Sequence, residues 1–112
     1  MKQENQVYEK EFAEFLAREK HLALMIRSRV KKYGDNKIAV RHKPEGEWLS
    51  YTWAKFGEMI DSTAKALIAY GVNENDMVGI FCHNSVEWAV ADYASFTIRA
   101  ASVPVYATNS TA

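Results

Sequence analysis

The apolar positions of the chain follow two periods. From Val7 to Tyr33 they recur in steps of three and four: Phe12, Phe15 and Leu16, then Leu22, Met25, Ile26, Val30 and Tyr33. That spacing predicts a helix. The polar run Arg18-Glu19-Lys20-His21 interrupts it and predicts a break into two pieces. Lys31 and Lys32 followed by Gly34 predict the helical end. Residues 1–6 are polar and are expected to be frayed or disordered. From Lys37 to His42 the period becomes two, with Ile38 and Val40 on one face, and it does so again from Trp48 to Thr52. With the turn Pro44-Glu45-Gly46-Glu47 between them, these runs predict a β-hairpin. The helical period then returns at Trp53, Phe56, Ile60, Ala64, Leu67 and Ile68. Thr52 is placed to cap this helix, and Gly71 to close it.

The last third carries the strongest signal. Val78–Cys82 is a short apolar run after the turn residues Asn73-Glu74-Asn75-Asp76, and predicts a strand covered on both faces. Ser85 is the N-cap candidate for a helix running to Ala100, with Glu87 in the first turn, where the helix dipole favours negative charge. Ser102–Tyr106 is a second short apolar run. Strand, helix and strand make a βαβ unit with parallel strands. The order helix, hairpin, helix, strand, helix, strand predicts an α/β fold: a partial parallel or mixed sheet with flanking helices. So few elements cannot cover both sheet faces and both edges, so apolar surface is expected to stay open and to favour self-association.

Composition narrows the picture. At 112 residues and 48% hydrophobic content the chain is one globular unit or part of one, not a disordered segment. Net charge is zero but unevenly spread. Residues 1–43 hold 11 Lys/Arg against 6 Asp/Glu, a net of +5, and residues 44–112 hold 3 against 8, a net of −5. The basic part is either a solvated helix face or a dock for an acidic surface, a membrane included. One cysteine permits no internal disulfide, and no apolar run approaches the about 20 residues that span a bilayer. The polar start shows no secretory signal. A cytoplasmic protein is expected, with peripheral contact at the inner membrane face as an option.

Candidate chemistry is sparse. Neither a GxGxxG nor a Walker A phosphate loop occurs. His21, His42 and His83 lack metal-ligand spacing with Cys82. Neighbours on a strand point to opposite faces, so Cys82 and His83 are not expected to pair, and Cys82 reads as a small buried core residue. His83-Asn84-Ser85 falls at the carboxyl end of a strand, where open α/β sheets place ligands. It reads as a turn and helix cap with Asn84 bonding local backbone, or as a site wall. Ser85 has no base to make it a nucleophile. Arg27, Arg29, Lys31 and Lys32 form only a short basic helix end without a stacking platform, which excludes nucleic acid as the expected partner. Trp48, Trp53 and Trp88 read as packing anchors.

A family resemblance enters on particular residues. Trp48, Tyr51-Thr52-Trp53, Ala64-Lys65-Ala66-Leu67, Gly71-Val72, Asn75–Ile80, Asn84-Ser85-Val86-Glu87-Trp88 and Ala100–Tyr106 resemble the opening of the adenylate-forming acyl-CoA synthetase superfamily. Tyr33-Gly34-Asp35 before Ile38-Ala39 extends the match, and Tyr106–Ser110 is most similar to the long-chain fatty acid branch. Two departures stand out. Asn75 replaces the usual glycine before the first parallel strand, and Ala101 the usual glycine after the crossover helix.

The resemblance implies that residues 1–112 are the N-terminal portion of an AMP-binding domain. The whole enzyme would use ATP, Mg²⁺ and CoA to convert a fatty acid to its acyl-CoA through an acyl-adenylate. It implies no catalytic, cofactor-binding or metal residue in this stretch, because the family's phosphate loop and catalytic lysine lie further along. The stretch alone is expected to be an inactive scaffold. Two alternatives remain at this stage: an adenylating enzyme for another carboxylate, and a non-catalytic binding or assembly module.

Overall fold

A computed structural model describes residues 2–111. Its elements are α1 (Lys2–Arg18), α2 (Leu22–Tyr33), β1 (Ile38–His42), β2 (Leu49–Thr52), α3 (Trp53–Ala69), β3 (Met77–Phe81), α4 (Val86–Thr97) and β4 (Ala101–Val105). The break predicted at Arg18–His21 is present. Residues 2–6, expected to be frayed, instead form the first turns of α1, and Met1 lies outside the described residues.

The helices begin and end where side chains or glycine can satisfy their end groups. His21 Nδ1 accepts the Leu24 N–H at 3.3 Å and caps α2, a role its sequence did not suggest. Gly34 ends α2 at φ 50°, its N–H reaching Val30 O at 2.9 Å. Thr52 Oγ1 accepts the Lys55 N–H at 3.1 Å while its hydroxyl donates to Asp35 Oδ1 at 2.8 Å. The same side chain therefore caps α3 and ties its start to the turn after α2. Gly71 follows α3 at φ 93°, a conformation costly for other residues.

The core lies among α2, α3 and α4. Phe56, Ile60 and Ala64 form one row on α3, and Val86, Val90 and Ala94 form one on α4, with Ile26 of α2 closing the cluster. Steps of four put each row on one helix face. Burying each of the larger side chains contributes roughly 1.5–3 kcal/mol. Gly57 lets α2 approach: a Cβ there would stand 2.8 and 3.0 Å from the two methyls of Val30. Trp53 stands between Tyr33 and Phe56, as an anchor should, but Trp48 is 60% exposed and instead lies beneath Arg41 and Lys43.

The strands divide into two separate two-stranded sheets rather than one. β1 and β2 are antiparallel, with a bulge between Ile38 and Val40. The extra residue, Ala39, breaks the alternation. Ala39 and Val40 both pack against the core, and Ile38, expected on Val40's face, is half-exposed. β3 and β4 are parallel, pairing Met77 with Ala101 through Phe81 with Val105. Only one face is covered. Val78 and Ile80 turn inward, while Met77, Phe81, Val103 and Val105 are open, so the expectation of a strand covered on both sides fails within this chain.

α1 stands apart from all of this. None of its residues is buried, and among the described residues it meets another element only at its end, where the Phe15 ring lies 5.9 Å from the Arg29 guanidinium carbon of α2. The radius of gyration is 17.0 Å, with extents of 56 × 37 × 32 Å. A compact chain of this length would reach about 13 Å. No described helix is long and apolar enough to cross a membrane.

Candidate functional site

The carboxyl ends of β3 and β4 lie side by side, because the parallel register puts Phe81 next to Val105. Cys82, His83 and Asn84 leave the end of β3, and Tyr106 leaves β4. Such an edge is where open α/β sheets receive ligands. Ser85 adopts an extended conformation and its Oγ accepts the Trp88 N–H at 3.1 Å, so it is the cap of α4. Glu87 sits in the first turn as expected.

Two sequence readings of this edge need correction. The strand ends at Phe81, so Cys82 lies in the loop and is exposed, not buried in the core. Among the described residues Asn84 finds no side-chain hydrogen-bond partner, and the cap is Ser85. Among the described residues the Ser85 hydroxyl has one hydrogen bond, accepted from the Trp88 N–H, and no base beside it. Among the described residues no group of three His, Cys, Asp or Glu is placed to hold a metal ion. Clefts occur elsewhere. One of 740 Å³ lies between the start of α2 and the end of α4, lined by His21, Ala23, Phe96 and Arg99 among others. Another of 520 Å³ lies beside the end of α3. Neither includes a residue of the β3 or β4 carboxyl edge, where Phe81, Cys82, His83, Asn84 and Tyr106 are exposed.

The two left-handed positions bear on the family's glycines. Asn75, at φ 71°, keeps the turn before β3 as its tolerance of that region allows. The strained residue after α4 is Arg99, at φ 62°, whereas Ala101 is already extended in β4. The backbone demand for glycine therefore falls two residues before the position the sequence comparison pointed to.

One ionic cluster was missed. Glu19, read only as part of a polar break, has its side chain 1% exposed. Its Oε1 accepts from Ser28 Oγ at 2.5 Å and Arg29 Nη1 at 2.7 Å, and Arg18 lies 3.5 Å away. The Ser28 hydrogen bond, with help from Arg29 and Arg18, holds the Glu19 carboxyl below the usual range, although burial opposes this. The cluster pins the corner between α1 and α2. A glutamate ten residues before an arginine carries no periodic signal, so only the fold reveals it.

A two-stranded parallel sheet with a helical crossover places the chain among α/β folds, whose strand carboxyl ends are where ligands are received. The AMP-binding enzyme family matches residues 26–112, and the chain belongs to that family. Among curated relatives, it is 34% identical over 83 residues to the peroxisomal long chain acyl-CoA synthetase 7 of Arabidopsis thaliana, covering 70% of this chain and 12% of that protein. It is 38% identical over 66 residues to the long-chain-fatty-acid–CoA ligase FadD15 of Mycobacterium tuberculosis, covering 59% and 11%. The chain thus spans about an eighth of the length of such relatives or less. Among solved structures, the N-terminal subdomain of Klebsiella oxytoca NpsA superposes with a TM-score of 0.72 at 19% identity, covering 80% of this chain and 22% of that one. The Legionella pneumophila fatty acid AMP ligase gives 0.68 at 18%, covering 75% and 14%. These likenesses establish a shared fold.

Proposed function

We propose that residues 1–112 are the N-terminal portion of the AMP-binding domain of a long-chain fatty acid–CoA ligase, and that they serve it as scaffold. The observation that carries this reading is the open apolar face of β3 and β4 in a chain that spans 12% and 11% of the two curated relatives named above. The relatives' names support the fatty acid as substrate. In the whole enzyme, a fatty acid carboxylate oxygen attacks the α-phosphorus of ATP and the bond to pyrophosphate breaks. The thiolate of CoA then attacks the acyl carbon, and AMP leaves with the bonding electron pair.

The residues described here contribute position to these steps. The α3–α4 core sets the plane of β3 and β4, and the Ser85 cap fixes where α4 starts at the carboxyl edge. Among the described residues no group of three or more His, Cys, Asp or Glu is placed to hold a metal ion, and the steps above assign none of them to Mg²⁺. The chain by itself is expected to be silent, and its place in the cell is read as cytoplasmic. The test is fatty-acid-dependent ATP–pyrophosphate exchange by the gene product that contains these residues, with the 112-residue chain as control. Exchange with palmitate by the former alone is expected. Exchange only with an aryl or amino acid would refute the substrate, and exchange by the short chain would refute the scaffold role.

A further inference from the structure

A further cleft, of 500 Å³, opens at the corner between α1 and α2 and is lined by Arg18, Glu19, Ser28, Arg29, Lys31 and Lys32. Its charge is one-sided, with cations outnumbering the lone carboxylate. Arg29 and Arg18 both turn to the same oxygen of Glu19, Oε1, at 2.7 and 3.5 Å. Lys31 and Lys32 are exposed and form no ion pair among the described residues. The surplus positive charge concentrates anions in the cleft. Guanidinium forks beside lysine ammonium groups are the donors that phosphate oxygens accept from best.

Glu19 decides which anion fits. Its side chain is 1% exposed, and its second oxygen, Oε2, is buried without a partner among the described residues. Leaving such an acceptor without a donor is costly. The Ser28 hydrogen bond, with Arg29 and Arg18, holds this carboxyl below the usual range although burial opposes it, so at neutral pH Oε2 only accepts. Sulfate carries no proton at that pH and would set its lone pairs against Oε2. Hydrogen phosphate keeps one, and so offers oxygens to the cations and an O–H to the carboxylate. Arg18, whose side chain is 61% exposed, has the freedom to leave Oε1 for the anion and open the way to Oε2.

We propose that the α1–α2 corner binds a phosphate that carries a proton, held by Arg18, Arg29, Lys31 and Lys32, with its O–H donating to Glu19 Oε2. Arg18 and Glu19 lie outside residues 26–112, so the part that matches the family does not carry the complete site. Dissolved inorganic phosphate and the phosphate of a membrane phosphatidate share this chemistry.

Lysine acetylation by acetic anhydride, read residue by residue by mass spectrometry, tests the proposal on the whole gene product that contains these residues. At constant ionic strength, phosphate should protect Lys31 and Lys32, while Lys10 and Lys55, paired with Glu14 and Glu58, keep their rates. Sulfate should need about tenfold higher concentration for the same protection, the factor that one charge-assisted hydrogen bond supplies. Glu19→Gln should erase that difference. Its amide oxygen takes the place of Oε1 to accept from Ser28 and Arg29, which puts the NH₂ donor where Oε2 was. The wild-type comparison needs no variant and stands however Glu19→Gln folds. Protection by phosphatidate vesicles in phosphatidylcholine, without protection by dissolved phosphate, would assign the group to a lipid; protection by dissolved phosphate assigns it to a soluble ligand. Equal protection of the wild type by sulfate and phosphate, protection by none of these probes, or lysines already unreactive because other residues of the whole protein cover the cleft would overturn the proposal.

Discussion

Gly57→Ala on α3 should destabilise the chain, although helix propensity argues the other way. Alanine inside a helix is favoured over glycine by about 0.8–1.0 kcal/mol. The new methyl, however, would stand 2.8 Å from one Val30 methyl and 3.0 Å from the other. Valine in a helix holds one χ1 rotamer almost exclusively, and leaving it costs about 0.5–1.5 kcal/mol. The alternative is to push α2 away from the α3–α4 core, and overpacking of this kind costs roughly 1–3 kcal/mol. The steric loss therefore exceeds the propensity gain, with a net loss of about 1 kcal/mol. In a Val30→Ala background the obstruction is gone, and the same substitution should stabilise by about 1 kcal/mol. Urea unfolding at low micromolar concentration reads this as midpoint shifts of opposite sign, each about 0.5 M at an m-value near 2 kcal/mol/M. The coupling of about 2 kcal/mol lies within the range of residues in contact. A higher midpoint for Gly57→Ala with Val30 in place would show that the α2–α3 approach is looser than described.

Other outcomes follow from the caps, the strained turn and the buried carboxylate. Ser85→Ala should cost about 1 kcal/mol of stability as a lost helix cap, while leaving adenylation by the whole enzyme unchanged below its melting range; abolished turnover in a folded protein would instead mark Ser85 as chemical. Arg99→Val should cost about 1 kcal/mol or more, because β-branched residues resist positive φ, whereas Arg99→Gly should hold or raise the urea midpoint despite loss of the exposed pair with Glu74. The Glu19 carboxyl has a folded pKa below its unfolded one, so its stabilisation is complete above the ordinary carboxylate range and is lost as pH falls through its lowered value. Urea midpoints between pH 6 and 3 should fall more for the wild type than for Glu19→Gln, and parallel curves would refute the assignment.

Much of the fold was legible because its signals are local. Thr52, Ser85, Gly34 and Gly71 cap or close helices through groups within a few residues, and the rows Phe56–Ile60–Ala64 and Val86–Val90–Ala94 repeat with the helical period. What escaped depends on distant partners or on partners outside these residues. The bulge at Ala39 inserts a residue without changing composition, so alternation alone placed Ile38 wrongly. The apolar neighbours of Cys82 point to the core, but β3 stops one residue short of it and the thiol is exposed. The place of Trp48 at the start of a strand predicts a packing anchor, but its neighbours are the cations Arg41 and Lys43. The carboxyl edge was legible as a location, but neither its openness nor the buried Glu19 cluster has a period to read.

The inward turn of Val78 and Ile80 has an effect beyond their own burial. Sliding β3 by one residue would bring Met77 and Gly79 onto α4 and expel Ile80, so the helix locks the phase of the ladder. Any strand that later joins β3 or β4 must accept that phase. The arrangement thus acts as a ruler, laid down by α4, against which the rest of a larger sheet is measured.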